Sequence, residues 1–489
     1  LARQRAAARG DAAATTAAAP PKARLTIGKA RVDASARVVA CRQCSAAHLD
    51  ALADFAQLRA LRIDAPRPDA LRAGRSKPRA LEQVRYLVLY AQSGKGVGQI
   101  LKRFPNLRGL WLVTKATPAA DLAVLADLRK LRRLNLSATA ESGPLPVLSK
   151  LTELEELLVL AQGDADTLSP LLANPPPGLR RLSVHNAPPQ LDLSRLARLV
   201  ELKVTCRRNG RFDLGGVARL PHLRTLSVIG CALDPAEPLE GARALERLEL
   251  AHASPRVAAA AFSLERLRVL QIDIRGPEHA QAPPPSLRQL KRLRVLELRA
   301  AMTDLSFLGS HPHLQILRLS SVSLRRLDGI ERLPALTSLH VDPGEHLSDL
   351  SALSQLTRLQ RLTVTAPSSV ADLGALRNLR RLESVTIECP PAADLSPLTG
   401  LARLQYLDLS GDSPFGGLCL DFDARGHRDL SPLLSTRRLT HLSLDAREPG
   451  AERLARALVG ISGFACGETP ECEDLFESAP AREGGKPRP

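Results

Sequence analysis

Aromatic side chains are scarce in this sequence: nine Phe, three Tyr and one Trp make up 3% of 489 residues. Hydrophobic residues nevertheless reach 44%, an ordinary share for a folded chain, so any core must be filled mainly by aliphatic side chains. No uninterrupted apolar run approaches the ~18 residues that a membrane-crossing helix needs, and no membrane span is expected. Nucleotide-binding loops are missing as well. "YLVLYAQSGKGVGQIL" (86–101) has Leu89 where a phosphate loop needs its first glycine, and Gly96 where a hydroxyl residue should follow Lys95. Leu101 falls where a dinucleotide fingerprint needs its third glycine, so the segment reads as a tight connecting turn. A zinc ribbon needs two Cys-x-x-Cys pairs, and only Cys41 and Cys44 form one. The eleven histidines scatter without a nucleophile motif. Asp421, Asp423, His427 and Asp429 fall close together but lack calcium-loop spacing, and read as a solvated acidic loop. No catalytic residue, metal site or cofactor is expected.

Leucine is what the chain has in place of rings. In "DLSPLTGLARLQYLDLSGD" (394–412), leucines stand at 395, 398, 401, 404 and 407, then at 409. A repeated step of three is too tight for an α-helix, whose apolar face recurs at three and four. The closing step of two belongs to a strand. The same change of step recurs at "DLSALSQLTRLQRLTVTA" (349–366) and "DLAVLADLRKLRRLNLSA" (121–138). The block Φ-x-x-Φ-x-Φ, with Φ aliphatic, occurs seventeen times between Leu58 and the copy that begins at Leu439, most copies 20 to 26 residues apart. Self-similarity at that period marks a solenoid. Each block is expected to form a short strand, stacked in parallel about 4.8 Å from its neighbours. The segment that counts in threes returns as a 3₁₀-like turn, in which positions i and i+3 eclipse. Asp394 is placed to cap the first amides of that turn, and Pro397 needs no donor there. The same opening stands at Asp121, Asp192, Asp213, Asp304, Asp349, Asp372 and Asp429.

These blocks resemble the leucine-rich-repeat family over roughly residues 49 to 445, and the "DLSPL" turns resemble those of internalins and phosphatase-regulatory leucine-rich-repeat proteins. The resemblance implies an α/β solenoid, with a curved parallel sheet on its concave side and 3₁₀ turns or short helices on its convex side. The motif is specific for fold and not for function; since no catalytic constellation is found among the residues, the chain is expected to bind a protein partner and not to be an enzyme. One departure stands out. Where family repeats often carry Asn or Cys after the last strand leucine, this chain has Cys231 once but Thr139, Val322, Pro367 and Asp412 elsewhere. Extracellular relatives often close both caps with disulfides, and Cys41/Cys44 with Cys466/Cys472 resemble that arrangement. Cys206, Cys231, Cys389 and Cys419 scatter through the array, which favours a reducing compartment. The compartment stays open between the two.

The expected organisation is a flexible leader (1–24), an N-terminal cap (25–48), about seventeen repeats (49–446) with an insertion at 411–430, a C-terminal cap (447–474) and a polar tail (475–489). Within each block, steps two, four and six are expected to point to the concave sheet face. Every Tyr and the sole Trp fall on these steps: Tyr86, Tyr90, Trp111 and Tyr406. Tyr86, Val88, Tyr90, Trp111 and Val113 should adjoin, with Leu158 further along, and form the anchor for a protein partner. The competing reading has the N-terminal cap folding over the cluster.

Formal charge is +17. Lys130, Arg198, Arg266, Arg292, Arg358, Arg381, Arg403 and Arg438 each precede the first leucine of a block and should align as a basic edge. Such an edge attracts acidic protein or nucleic acid, or keeps the solenoid soluble. No aromatic-interleaved nucleic-acid motif accompanies it, so nucleic acid is not the expected partner. The chain is expected to act as a monomeric protein-binding scaffold.

Overall fold

In the computed structural model, the described residues are 24–443, except 28–29, 43, 65–70, 72–77, 116, 139–141, 143–145, 162–167, 169–173, 189–190, 235–236, 277–279, 345, 366–369, 371, 389–393, 410–431, 434–435 and 437. The insertion at 411–430, the expected C-terminal cap, both expected terminal tails apart from Arg24, and Cys389, Cys419, Cys466 and Cys472 lie outside them.

The chain divides into two compact units, the first built mainly from residues up to 154 and the second mainly from residues beyond it. The first opens with an antiparallel pair, β1 (Arg24–Ile27) and β2 (Ala30–Asp33). Then come parallel strands β3 (Val38–Cys41), β4 (Ala60–Asp64), β5 (Tyr86–Ala91), β6 (Gly109–Thr114) and β7 (Arg133–Ala138), each paired with the next. Between β3 and β4, α1 (Ala46–Leu52) starts at a capping box: Ser45 accepts from the His48 amide while the His48 ring accepts from the Ser45 amide.

The second unit holds β8 (Glu156–Ala161), β9 (Arg181–His185), β10 (Glu201–Asp213), β11 (Thr225–Asp234), β12 (Arg247–Ala253) and β13 (Val269–Ile274). It continues with β14 (Val295–Arg299), β15 (Ile316–Ser320), β16 (Ser338–Asp342), β17 (Arg361–Val364), β18 (Ser384–Ile387), β19 (Tyr406–Asp408) and β20 (His441–Ser443). All pair in parallel with their sequence neighbours.

One strand follows each of the seventeen aliphatic blocks, and the fold is a leucine-rich-repeat solenoid. The step of two sends alternate side chains inward: Leu87 and Leu89, Leu110 and Leu112, or Leu317 and Leu319 are buried while their strand neighbours face outward. The step of three forms 3₁₀ turns, as at Ser351–Gln355, Gly374–Asn378 and Ser396–Gly400, and brings Leu353, Leu376 and Leu398 into the same core. Aspartate opens these turns as expected. Carboxylates of Asp192, Asp213, Asp304, Asp349, Asp372 and Asp394 each accept from the amide two residues ahead, at 2.6–2.9 Å. Hydrogen bonds from Ser194, Ser306 and Ser396 hold Asp192, Asp304 and Asp394 below the usual carboxylate range.

Three local expectations change. Asp121 does not cap its own turn: its two carboxylate oxygens accept from the amides of Gly96 (3.0 Å) and Gly98 (2.9 Å) in the preceding repeat. The glycine segment is more than a tight turn, because Val97–Leu101 forms a short helix, α2, behind Gly96 in the left-handed region. The internal cysteines are not all scattered thiols. Cys206 and Cys231 are joined by a disulfide across β10 and β11, and Cys41 is bonded to Cys44. Two of the four internal cysteines expected to be thiols are therefore oxidised to a disulfide.

Candidate functional site

The outward face of the first unit's sheet is built by the register of β3 to β7. One row runs Val38, Ala60, Tyr86, Gly109 and Arg133; the next runs Ala40, Arg62, Val88, Trp111 and Asn135. A third places Asp64, Tyr90 and Val113 side by side. Tyr86, Val88, Tyr90, Trp111 and Val113 thus meet on two adjacent strands, as the spacing predicts. Trp111 is 50% exposed, Tyr86 49% and Val38 71%. No described element of the cap covers the two rings to the point of burial.

Each ring has a local reason for its position. Tyr86 lies over Gly109 so closely that a Cβ on Gly109 would stand 2.7 Å from Cδ1 of the ring. The glycine is the space the ring occupies. Tyr90 carries the Arg62 guanidinium 4.6 Å from its centroid, and Arg62 is itself held by Asp64 at 3.0 Å. Trp111 stands directly across from Val88 and Asn135, with no ring beside it in register.

Leu158 on β8 and Tyr406 on β19 belong to the second unit, near opposite ends of its strand order, and do not join one another. Tyr406 stacks on His441 of β20, with centroids 4.2 Å apart and planes 5° from parallel. Burial, followed by neighbouring Asp408, pushes its hydroxyl above the usual tyrosine range.

The second unit has a polar counterpart on its outward face. A cleft of ≈ 400 Å³ on β12 to β16 is lined by Asp273, Glu297, Arg299, Arg318, His340 and Asp342 among others. Its groups are largely engaged with each other. Gln271 donates to Glu297 (2.9 Å), Arg299 to the Ser320 hydroxyl (3.2 Å), and Ser320 to Asp342 (3.0 Å). Burial lowers the His340 pKa, opposed chiefly by Asp342.

The residues expected to form a basic edge (Lys130, Arg198, Arg266, Arg292, Arg358, Arg381, Arg403 and Arg438) are all exposed. Lys130 donates to the Asn106 side chain (2.9 Å) and Arg198 to the Pro177 carbonyl (3.4 Å). A different set is joined by the backbone. In the first unit, the amides of Arg59, Arg85, Arg108 and Arg132 donate in turn to the carbonyls of Arg37, Arg59, Arg85 and Arg108, at 2.7–2.9 Å. Five arginines therefore occupy one strand-start position in five successive coils. Sequence reasoning overlooked them by stopping one residue short of each block. The signal was the residue just after the first aliphatic, in "LRALRI", "VRYLVL", "LRGLWL" and "LRRLNL".

No protein-family model matches the chain, and no curated protein matches it. Among solved structures it is similar to an internalin, InlF, of Listeria monocytogenes: 19% identity, 69% of this chain against 81% of that one, TM-score 0.40. It is similar to a leucine-rich-repeat protein of Leptospira interrogans, with 16% identity, 75% of this chain against 88% of that one, and TM-score 0.43. A third similarity is to TLR13, solved in complex with ssRNA13, with 19% identity, 80% of this chain against 58% of that one, and TM-score 0.46.

Proposed function

We propose that the chain is a non-enzymatic binding scaffold that holds a protein partner on the outward sheet face of its first unit. The observation that carries this reading is the pairing of Trp111 and Tyr86, both about half exposed, on adjacent strands of a protein that has one Trp and three Tyr. Large half-exposed rings on a sheet face are what partner proteins anchor on, because desolvating them brings most of the binding energy. The leucines beneath keep the backbone rigid, so little order has to be imposed on binding.

The test is a displayed peptide library selected on the folded chain. Peptides that bind the natural sequence should lose about 2 kcal/mol or more against Trp111→Ala, the usual loss for a central aromatic anchor. The variant should unfold at the same temperature as the parent, since Trp111 lies outside the leucine core. Equal binding by both proteins would move the site elsewhere, and a lowered unfolding temperature would make the ring structural.

A further inference from the structure

The five-arginine ladder says what kind of partner segment should lie beside that face. Arg37, Arg59, Arg85, Arg108 and Arg132 each stand immediately before β3 to β7, next to the row that carries Val38, Tyr86 and Gly109. At the ordinary spacing of parallel strands the ladder runs roughly 19 Å. Their charge is little neutralised. Among the described residues only Arg132 of the five meets a carboxylate, that of Glu153 at 3.3 Å. Arg59 and Arg85 donate to backbone carbonyls of their own turns, and the Arg37 and Arg108 side chains have no partner among the described residues. The same position in the second unit is mixed. Arg180, Arg224, Arg268 and Arg294 alternate there with residues such as Glu155, Glu246 and Glu383, and Glu246 pairs with Arg224 at 3.5 Å. The unbroken ladder is thus a property of the coils that carry the aromatic face.

We propose that this edge binds an acidic polypeptide segment, whose aspartates or glutamates engage the arginine ladder while its apolar side chains sit on the Tyr86–Trp111 face. The inference rests on the binding reading above. Guanidinium groups match carboxylates in planar, two-point geometry, and Arg37 and Arg108 have their donors free to do so. A single-stranded nucleic acid is the competing polyanion. It needs a succession of rings for its bases, whereas Val38, Ala60, Val88 and Val113 take up much of this face. Alternating valines and rings suit amino-acid side chains.

The experiment measures binding of the full chain to three polymers of similar length: poly-glutamate, a random glutamate–tyrosine copolymer, and poly(U). The copolymer should bind best. Arg37→Glu with Arg108→Glu should weaken it tenfold or more, without unfolding, since neither side chain holds another. Arg180→Glu with Arg294→Glu makes the same charge change in the second unit and should weaken it less than about threefold, the residue of long-range attraction alone. Equal losses from the two pairs would overturn the proposal, because only net charge would then matter. Tighter binding of poly(U), lost with Arg37 and Arg108, would overturn it in favour of nucleic acid. Trp111→Ala separates this inference from its premise: it should erase the preference for copolymer over poly-glutamate and leave the arginine-dependent part. Loss of the preference with no effect of Arg37 and Arg108 would sink the acidic segment and spare the face; the converse would sink the face.

Discussion

Nε2 of His311 lies 2.7 Å from the carbonyl oxygen of Leu308, while its Nδ1 lies 3.1 Å from that of Leu290. His311 stands where the next coil has Leu333, in the column Leu305, Leu308, His311, Leu314, and is fully buried. A neutral imidazole has one N–H and cannot donate to both carbonyls. Burial nonetheless holds its pKa below the ordinary value, with the two carbonyls pulling upward and Lys291 adding to the downward shift. The folded state then binds fewer protons than the unfolded chain, so stability rises with pH up to the unfolded value near 6.5 and is lost as pH falls below it. His311→Leu should restore the column and flatten this dependence. Thermal unfolding at about pH 5 and about pH 8 should differ less in the variant than in the parent. An unchanged difference would assign the titration to another group, His340 first.

Asp121 offers a second test, because its carboxylate ties its own repeat to the preceding one. The amides of Gly96 and Gly98 both donate to its carboxylate. The close approach also explains Gly98, where a Cβ would stand 2.8 Å from the Asp121 carbonyl oxygen. Asp121→Ala should cost roughly 2–3 kcal/mol, since two amide bonds to a charged acceptor are lost in a half-buried place. The readout is denaturant unfolding, and an unchanged midpoint would mean that these two hydrogen bonds contribute nothing to repeat stability.

The repeat itself was legible because its physics is local and repeated. A step of two needs a strand and a step of three needs a tight turn, so Leu404, Leu407 and Leu409 could be placed without knowing any contact. The aromatic face was legible for the same reason: steps two, four and six alternate with buried leucines. What the pattern could not carry were interactions between coils at irregular positions. Asp121 reaches back a repeat to Gly96, because stacking brings together residues whose separation varies from coil to coil. Tyr86 and Gly109 share step two of neighbouring blocks, but how closely the ring lies over the next strand is set by its rotamer, which spacing does not give. The arginine ladder was hidden differently. Arginine is so common in this chain that five at one position do not stand out in the sequence, whereas their backbones are bonded in series.

The Cys206–Cys231 disulfide predicts a local dependence on oxidation. β10 and β11 lose register between Thr205 and Gly210, then resume with Gly210 opposite Cys231. The bond thus joins adjacent strands at the irregularity, across a sequence separation of 25 residues. Mass spectrometry of unreduced digests should find the two cysteines in one linked peptide. Cys231→Ser should lower stability by about 3.5 kcal/mol, the value chain entropy assigns to a loop of that size. Free thiols at both positions in freshly isolated protein would reject the linkage.

Gly109 supplies the sharpest check on the proposed face, because it acts on the site only through Tyr86. Gly109→Ala would place its Cβ 2.7 Å from Cδ1 and 3.2 Å from Cε1 of the ring, so the ring must tilt away from the sheet. The leucines inside the coil are untouched, and the fold should survive. Selected peptides should bind at least tenfold more weakly, a loss of about 1.4 kcal/mol. The sole Trp of the chain, Trp111, lies on the same strand two residues on, and its emission should report the displaced ring without any label. Tyr86→Ala should by itself weaken the same peptides. In that background Gly109→Ala has no ring to displace and should change nothing further. The two losses are therefore expected to be strongly non-additive, as for residues that share one contact. Additive losses would mean that Gly109 matters for a reason other than the ring above it, and that Tyr86 acts in binding without needing Gly109 beneath it.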